Sequence, residues 1–255
     1  MNLSEIEYVS RFAWPALEEQ ELSFGVLRYS AGVNRRSNSL NVFIDANYDH
    51  EKLVEITELF FAQRHLPAIV RVLNIDGGSR AKFQTLDDYL ADNEYRVEAP
   101  TRVLSLDLRR VERTQSKLTS ITSNSCEQNC WLRVWYKLSG FSHAQFEIHQ
   151  EMLSKIRCAT NFLVLINRSG DPVSCGMAAL SNSALGIFGI ATHKDYRGRG
   201  YAATLVQSLL QWGEVKGARY AFLQVEAVNS AALALYHRLG FTEFYSYWYR
   251  VKELH

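Results

Sequence analysis

The sequence predicts an α/β protein built on a mixed sheet, and three observations carry that reading. Short apolar runs alternate with segments of helical periodicity along the whole chain. A Gly-rich turn, Tyr196-Arg197-Gly198-Arg199-Gly200-Tyr201-Ala202-Ala203, follows one apolar run and opens a long amphipathic pattern. The order strand, helix, strand, short helix, strand occurs twice, over Asn41–Val103 and over Ile187–Tyr249.

In chain order, the periodicity predicts a helix over residues 3–18, then strands over Leu22–Tyr29 and Ser39–Ile44 joined through Ala31-Gly32 and a polar turn. His50–Arg64 carries Leu53, Ile56, Leu59 and Phe60 at helical spacing. A strand over Ala68–Leu73, a helix near Leu86–Ala91 and a strand from Tyr95 to about Leu108 complete the first half. From Arg109 to Gln128 the apolar pattern gives way to Arg, Thr, Ser, Asn and Gln, the composition of a linker. Helices over Trp131–Leu138 and His143–Arg157 follow, then strands over Phe162–Ile166 and Val173–Leu180 with a turn at Arg168-Ser169-Gly170-Asp171. A strand over Leu185–Thr192 runs into the Gly-rich turn, whose helix carries Ala202, Leu205, Val206, Leu209 and Gly213 on one stripe. Strand Tyr220–Val225, helix Ser230–Arg238 and strand Phe241–Val251 close the chain. That last strand is rich in aromatic residues, and core packing is the reading for them.

The chain has 255 residues, 47% of them hydrophobic, enough for a sizeable core in one large domain or two small ones. A formal charge of +1 provides no broad basic field, which argues against nucleic acid and for a small-molecule partner. No stretch has the length and apolarity of a membrane span and no leader pattern opens the chain, so the expectation is a soluble cytoplasmic protein without a membrane partner. Cys126, Cys130, Cys158 and Cys175 are too few and too unevenly placed for a disulfide scaffold, and they lack zinc-ligand spacing. No metal is expected.

The Gly-rich turn is the segment hardest to explain by packing. Gly198 and Gly200 allow backbone amides to approach a ligand, and the helix that follows directs its unpaired N–H groups and positive dipole end there. Such a turn suits phosphate. Gly198-Arg199-Gly200-Tyr201-Ala202-Ala203 also satisfies the dinucleotide pattern G-x-G-x-x-A, with Glu226 as the ribose acid. Glu226 lies well beyond the expected spacing of about twenty residues, and one helix and one strand are too little chain to finish that sheet.

Arg197-Gly198-Arg199-Gly200-Tyr201-Ala202 resembles the R/Q-x-x-G-x-G/A motif of the GNAT superfamily of acyl-CoA N-acyltransferases. A second block, Asn229 to Phe241, is similar to that family's N-x-x-A-x-x-L-Y-x-x-x-G-F segment. The two stand in order, joined by a strand, within a match over about residues 160–250. Arg35-Arg36-Ser37-Asn38-Ser39 is more weakly similar to a strand-entry segment of bacterial two-domain GNAT proteins.

The resemblance implies acetyl-CoA as co-substrate and an amine as acceptor. Its pyrophosphate would lie on Arg197, Gly198, Arg199, Gly200, Tyr201 and Ala202, with Lys194 as a further charge partner. The strand ahead of the turn would splay at Gly189, Ile190, Ala191 and Thr192, exposing backbone to the pantetheine arm and the thioester carbonyl. Tyr236 would protonate the leaving thiolate, and Asn229 would position coenzyme A or water. A lysine-like amine, with a pKa of about 10.4, costs roughly 4–5 kcal/mol to deprotonate at pH 7, so a base is useful. The position at which some family members carry a glutamate is Gln224, which takes no proton; Glu226 and His193 are the alternatives.

The first copy of the repeat has Asn47-Tyr48-Asp49-His50-Glu51-Lys52 before its helix, without glycine and with two carboxylates, and Leu90 where the second has Tyr236. The expected organisation is a GNAT-like domain over residues 1–110 without the coenzyme A loop, a linker over 111–128 and a catalytic GNAT domain over 129–255. The first domain then shapes the acceptor site or makes the contact of a homodimer. The expected function is acetyl transfer from acetyl-CoA to a primary amine of a small molecule or peptide by direct attack in a ternary complex. The alternative is a non-catalytic acyl-CoA-binding regulatory or interaction module.

Overall fold

The computed structural model describes residues 2–76, 79–110 and 122–254. Their contacts form two compact units that do not follow the halves of the sequence. The larger consists of Met1–Pro15, Leu104–Gln224 and Ala231–Thr242; the smaller consists of Ala16–Val103, Val225–Ser230 and Glu243–His255.

In the larger unit, α1 (Leu3–Ala13) starts from a capping box in which the Asn2 side chain accepts from the Glu5 N–H at 2.8 Å and Glu5 accepts from the Asn2 N–H at 3.0 Å. It ends at Ala13 rather than at residue 18, because Pro15 bars the helical conformation just before it. Strands β6 (Thr122–Ser125), β7 (Ala159–Ile166), β8 (Pro172–Ser181) and β9 (Ala184–Thr192) form an antiparallel meander, and β10 (Tyr220–Glu226) joins β9 in parallel. Strand β6 falls within the expected linker: a polar strand at a sheet edge has no apolar alternation to betray it. Residues 111–121 of that linker lie outside the described residues. The β7–β8 turn forms as expected, with the Asn167 side chain accepting from the N–H groups of Ser169 and Asp171, each at 2.9 Å. Helices α4 (Gln128–Ser139), α5 (Phe146–Ser154), α6 (Tyr201–Val215) and α7 (Ser230–Arg238) complete the unit, Ser230 apart.

The smaller unit has β1 (Glu18–Leu22) and β2 (Gly25–Tyr29) as a hairpin where one longer strand was expected, and β3 (Leu40–Val42) beside it. Strand β4 (Ala68–Asn74) is parallel to β3 and reached through α2 (His50–Ala62), repeating the β9–α6–β10 crossover. The Arg35–Ser39 segment is a hydrogen-bonded turn: the Asn38 side-chain oxygen accepts from the N–H groups of Ser30 at 2.7 Å and Gly32 at 3.0 Å. Helix α3 (Arg80–Asp92) is longer than the predicted Leu86–Ala91, because Phe83, buried with Leu86 and Leu90 at helical spacing, carries the core-facing stripe a turn further back.

The final strands of the two repeats are not kept where the sequence order would leave them. Strand β5 (Arg96–Asp107) ends the first copy, yet its last residues belong to the larger unit, where the Leu108 N–H bonds to the Arg219 carbonyl at 3.0 Å. Strand β11 (Thr242–Lys252) ends the second copy, yet from Glu243 it belongs to the smaller unit and pairs antiparallel with β4, from Ser246↔Asn74 to Lys252↔Ala68. Along β11, Tyr245, Tyr247, Tyr249 and Val251 are buried on one face, while Trp248 and Arg250 on the other meet α3. The Asp87 carboxylate accepts from Trp248 Nε1 at 2.6 Å and from Arg250 Nε and Nη2 at 2.7 and 2.8 Å. Both charges of this pair are nearly buried, with 12% and 11% side-chain exposure, so removing one partner strands the other. An Asp87→Ala variant is expected to lose about 3 kcal/mol of stability, read as a lower urea midpoint at unchanged slope; a loss under about 0.5 kcal/mol would rule this anchoring out.

Candidate functional site

Gly198 and Gly200 both have left-handed backbones, with φ of 75° and 87°. Gly200 is the N-cap of α6 and its carbonyl accepts from the Thr204 N–H at 3.0 Å, with no side chain capping the helix end. The N–H groups of the first turn therefore have no acceptor within the helix. A β-carbon on Gly198 would meet nothing within 4 Å, so open space stands over the turn. These features fit a bound phosphate.

The residues around the turn are braced by Tyr196. His193 lies against its ring at 5.6 Å, Tyr201 at 5.8 Å and the Arg199 guanidinium at 5.4 Å, while its hydroxyl accepts from Asn167 Nδ2 at 3.1 Å. Arg197 Nε turns back to the Thr192 carbonyl at 3.3 Å, and Lys194 is exposed. His193 Nδ1 accepts from the Asp195 N–H at 3.3 Å, so that nitrogen's lone pair is engaged locally.

Strand β9 departs from regular pairing where the resemblance puts the splay. Its parallel register with β10 runs from Ala184↔Tyr220 to Ile187↔Leu223. On its other side Cys175 faces Ala191 and Met177 faces Phe188, so Gly189 and Ile190 together oppose Gly176 in a β-bulge. Gly189 has φ 59°, the conformation that favours glycine. The half-buried Ile190 lies with Leu205 and Leu209 over Gly176, so its side chain packs on the α6 face. Ser174 Oγ donates to the Ala191 carbonyl at 2.8 Å and lies 2.9 Å from Thr192 Oγ1, which ties the strand end to β8.

Tyr236 is 7% exposed, with Phe241 at 6.1 Å, and burial pushes its phenol up to about 12. Among the described residues its hydroxyl has no hydrogen-bond partner. A phenol in that state is protonated at neutral pH and available to donate.

The turn, the bulge of β9 and Tyr236 all fall within the larger unit. Glu226 and Asn229 fall within the smaller one; both are exposed, and the Asn229 N–H bonds to the Glu226 carbonyl at 2.9 Å. Gln224 is tied to α1, with Nε2 donating to Ser10 Oγ at 2.7 Å. Sequence reading missed Tyr196 as the brace and the aromatic residues of α4, for which isolated aromatic letters give no partner. In the first copy of the repeat, Asp49 caps α2 through the Lys52 N–H at 2.9 Å, which places a carboxylate where the second copy has an uncapped end. Lys82 there donates to the carbonyls of Phe43, Ile44 and Ala46, closing the strand end that follows β3. Among the described residues no cluster of three or more His, Cys, Asp or Glu side chains has a metal-binding arrangement, and no helix is long and apolar enough to cross a membrane.

Comparison with known proteins agrees with this geometry. The family described as "Probable histone acetyltransferase Rv0428c C-terminal" matches residues 2–250. The uncharacterized N-acetyltransferase YobR of Bacillus subtilis is 26% identical over 255 residues, covering 98% of this chain and 99% of that one. A GCN5-related N-acetyltransferase from Kribbella flavida superposes with a TM-score of 0.73 at 13% identity, covering 100% of this chain and 97% of that one. A tandem GNAT protein from the clavulanic acid biosynthesis pathway superposes with a TM-score of 0.62 at 11% identity, covering 84% and 75%. With the bulged β9, the uncapped α6 and the duplicated crossover already in view, the match along nearly the whole length makes this chain a member of that acetyltransferase family, within the GNAT superfamily.

Proposed function

We propose that the protein is an acetyl-CoA-dependent N-acetyltransferase that transfers the acetyl group to a primary amine by direct attack in a ternary complex. The observation that carries the reading is the conjunction of an uncapped helix end behind Gly198 and Gly200 with the bulge at Gly189 and Ile190 in the strand that leads into it. The amides from Gly198 to Ala202 would hold the pyrophosphate, with Arg197, Arg199 and Lys194 supplying positive charge. The backbone of Gly189 to Thr192 would take the pantetheine arm in the manner of an added strand and direct an N–H toward the carbonyl oxygen. Tyr236 would give its proton to the departing sulfur, and Asn229 would position coenzyme A or water. Glu226 is the residue we assign to accept the amine proton through water; Gln224 cannot, and His193 has one ring nitrogen engaged.

Residues 129–255 would then carry the catalytic copy and residues 1–110 a copy without coenzyme chemistry, consistent with Asp49 and Lys82 occupying the equivalent helix and strand ends. Soluble protein titrated with acetyl-CoA in a calorimeter is expected to bind it one to one and not to bind NAD(P). Thiol release from acetyl-CoA across a panel of amines is the second expected result. Absence of acyl-CoA binding would sink the proposal; binding without thiol release from any amine would favour the non-catalytic module.

A further inference from the structure

Helix α4 begins beside a pair of thiols that acetyl transfer does not use. Cys126 follows the last residue of β6, and its N–H donates to the Phe162 carbonyl of β7 at 2.9 Å. Cys130 lies four residues on, in the first turn of α4. That turn is fixed by the next residue, Trp131, which is 0% exposed and packs so closely on Gly189 that a β-carbon there would lie 2.8 Å from the indole. Both cysteines are therefore carried on anchored backbone, and their side chains meet: the two thiols are hydrogen-bonded to each other. Both also line one cavity of about 550 Å³, walled by Val134 of α4, Val164 and Ile166 of β7 and Pro172 of β8.

Access divides the pair. Cys130 is exposed and Cys126 half-buried, whereas Cys175, close to Cys126, is 0% exposed. Burial and the neighbouring Cys130 thiol push the Cys126 thiol up to about 12, so at neutral pH it is held as the thiol. Cys130 is the sulfur that a dissolved reagent reaches first, and a negative charge formed on it sits at the positive end of the α4 dipole. Once the Cys130 sulfur is bonded to another sulfur, its part in keeping Cys126 protonated is gone. Cys126 then faces an electrophilic sulfur where it had a hydrogen-bond partner.

We propose that Cys126 and Cys130 form a reversible dithiol–disulfide site that reacts with low-molecular-weight disulfides. In the first step the Cys130 thiolate attacks one sulfur of the reagent, forming a mixed disulfide and releasing the other half as a thiolate, which takes up the proton that Cys130 lost. In the second, the Cys126 thiolate attacks Cys130 Sγ: the Cys126–Cys130 bond forms, the mixed disulfide breaks, and the second half of the reagent leaves and takes the Cys126 proton. The two protein sulfurs are oxidised and the reagent is reduced to two thiols; excess thiol reverses both steps. The cavity beside the two sulfurs admits the reagent, and the site is independent of the acyl-CoA reading.

The test exposes the full chain, first reduced, to oxidised glutathione, then alkylates free thiols under denaturing conditions and digests with trypsin for mass spectrometry. Residues 118–133 are one tryptic peptide that carries both cysteines. In wild type that peptide is expected to be lighter by two hydrogen atoms and closed to alkylation, while Cys175 is alkylated. In Cys126→Ser the glutathione adduct is expected to stay on Cys130, because the thiol that would displace it is missing. In Cys130→Ser, glutathione is expected to add to Cys126 ~100-fold more slowly than it adds to Cys130 in Cys126→Ser. Where circular dichroism shows a serine variant unfolded, the alanine variant at the same position carries the comparison. Wild-type protein whose two thiols stay free in excess oxidised glutathione, or that keeps the adduct on Cys130 without closing the internal bond, or that joins Cys126 to Cys175, would overturn the proposal.

Discussion

Gly200→Glu is expected to eliminate measurable acetyl-CoA binding while leaving the fold intact. Two effects add. Gly200 sits at φ 87°, where a residue with a β-carbon costs roughly 1–2 kcal/mol, and a carboxylate at this N-cap faces the same amides that the pyrophosphate would use. Like charge then replaces an attractive pole by competition for the same donors, and affinity should fall at least ~100-fold, about 2.7 kcal/mol. Calorimetry measures the loss, and circular dichroism controls for folding, since Gly200 is exposed and outside the core. A bulky residue at Gly198 should act likewise, because φ is 75° and the open space over the turn is what it would fill. A Gly200→Glu protein with wild-type affinity would show that phosphate binds elsewhere.

Tyr236→Phe should separate binding from chemistry. The ring stays buried against Phe241, so acetyl-CoA affinity and stability change little, while turnover falls roughly 10²–10⁴-fold through loss of a proton donor. The pH dependence follows from the same residue. Burial raises the phenol to about 12, so it remains protonated as pH rises past the ordinary tyrosine value of about 10, and it contributes no falling limb below that pH. The rising limb belongs to the acceptor amine, which loses its proton as pH approaches its ordinary value of about 10.4. Steady-state rates with saturating acetyl-CoA would check both points. A Phe variant with wild-type turnover would mean that the thiolate takes its proton from another group.

Much of this site was legible in the sequence because its signals are local. Gly198 and Gly200 declare a left-handed turn, the stripe from Ala202 to Gly213 declares the helix behind it, and the Asn229–Phe241 block stands at fixed spacing. The contrast with the first copy was equally local: Asp49 is three residues from the amide it caps. The expected hairpin at Arg168–Asp171 formed for that reason too. Element ends were less legible, since Pro15 stops α1 early and the polar edge strand β6 lacks apolar period.

What the sequence by itself determined was the class of sheet, the duplicated crossover, the superfamily and the left-handed Gly-rich turn, since each is signalled by local periods and motifs. The tertiary structure alone decided which distant side chains meet. It put β11 beside β4 with Arg250 on Asp87, Gln224 on Ser10, and Trp131 on Gly189, pairings separated by tens to hundreds of residues. Such contacts are selected by complementarity of volume, charge and hydrogen-bond donors across the folded chain, and no local period or motif encodes them.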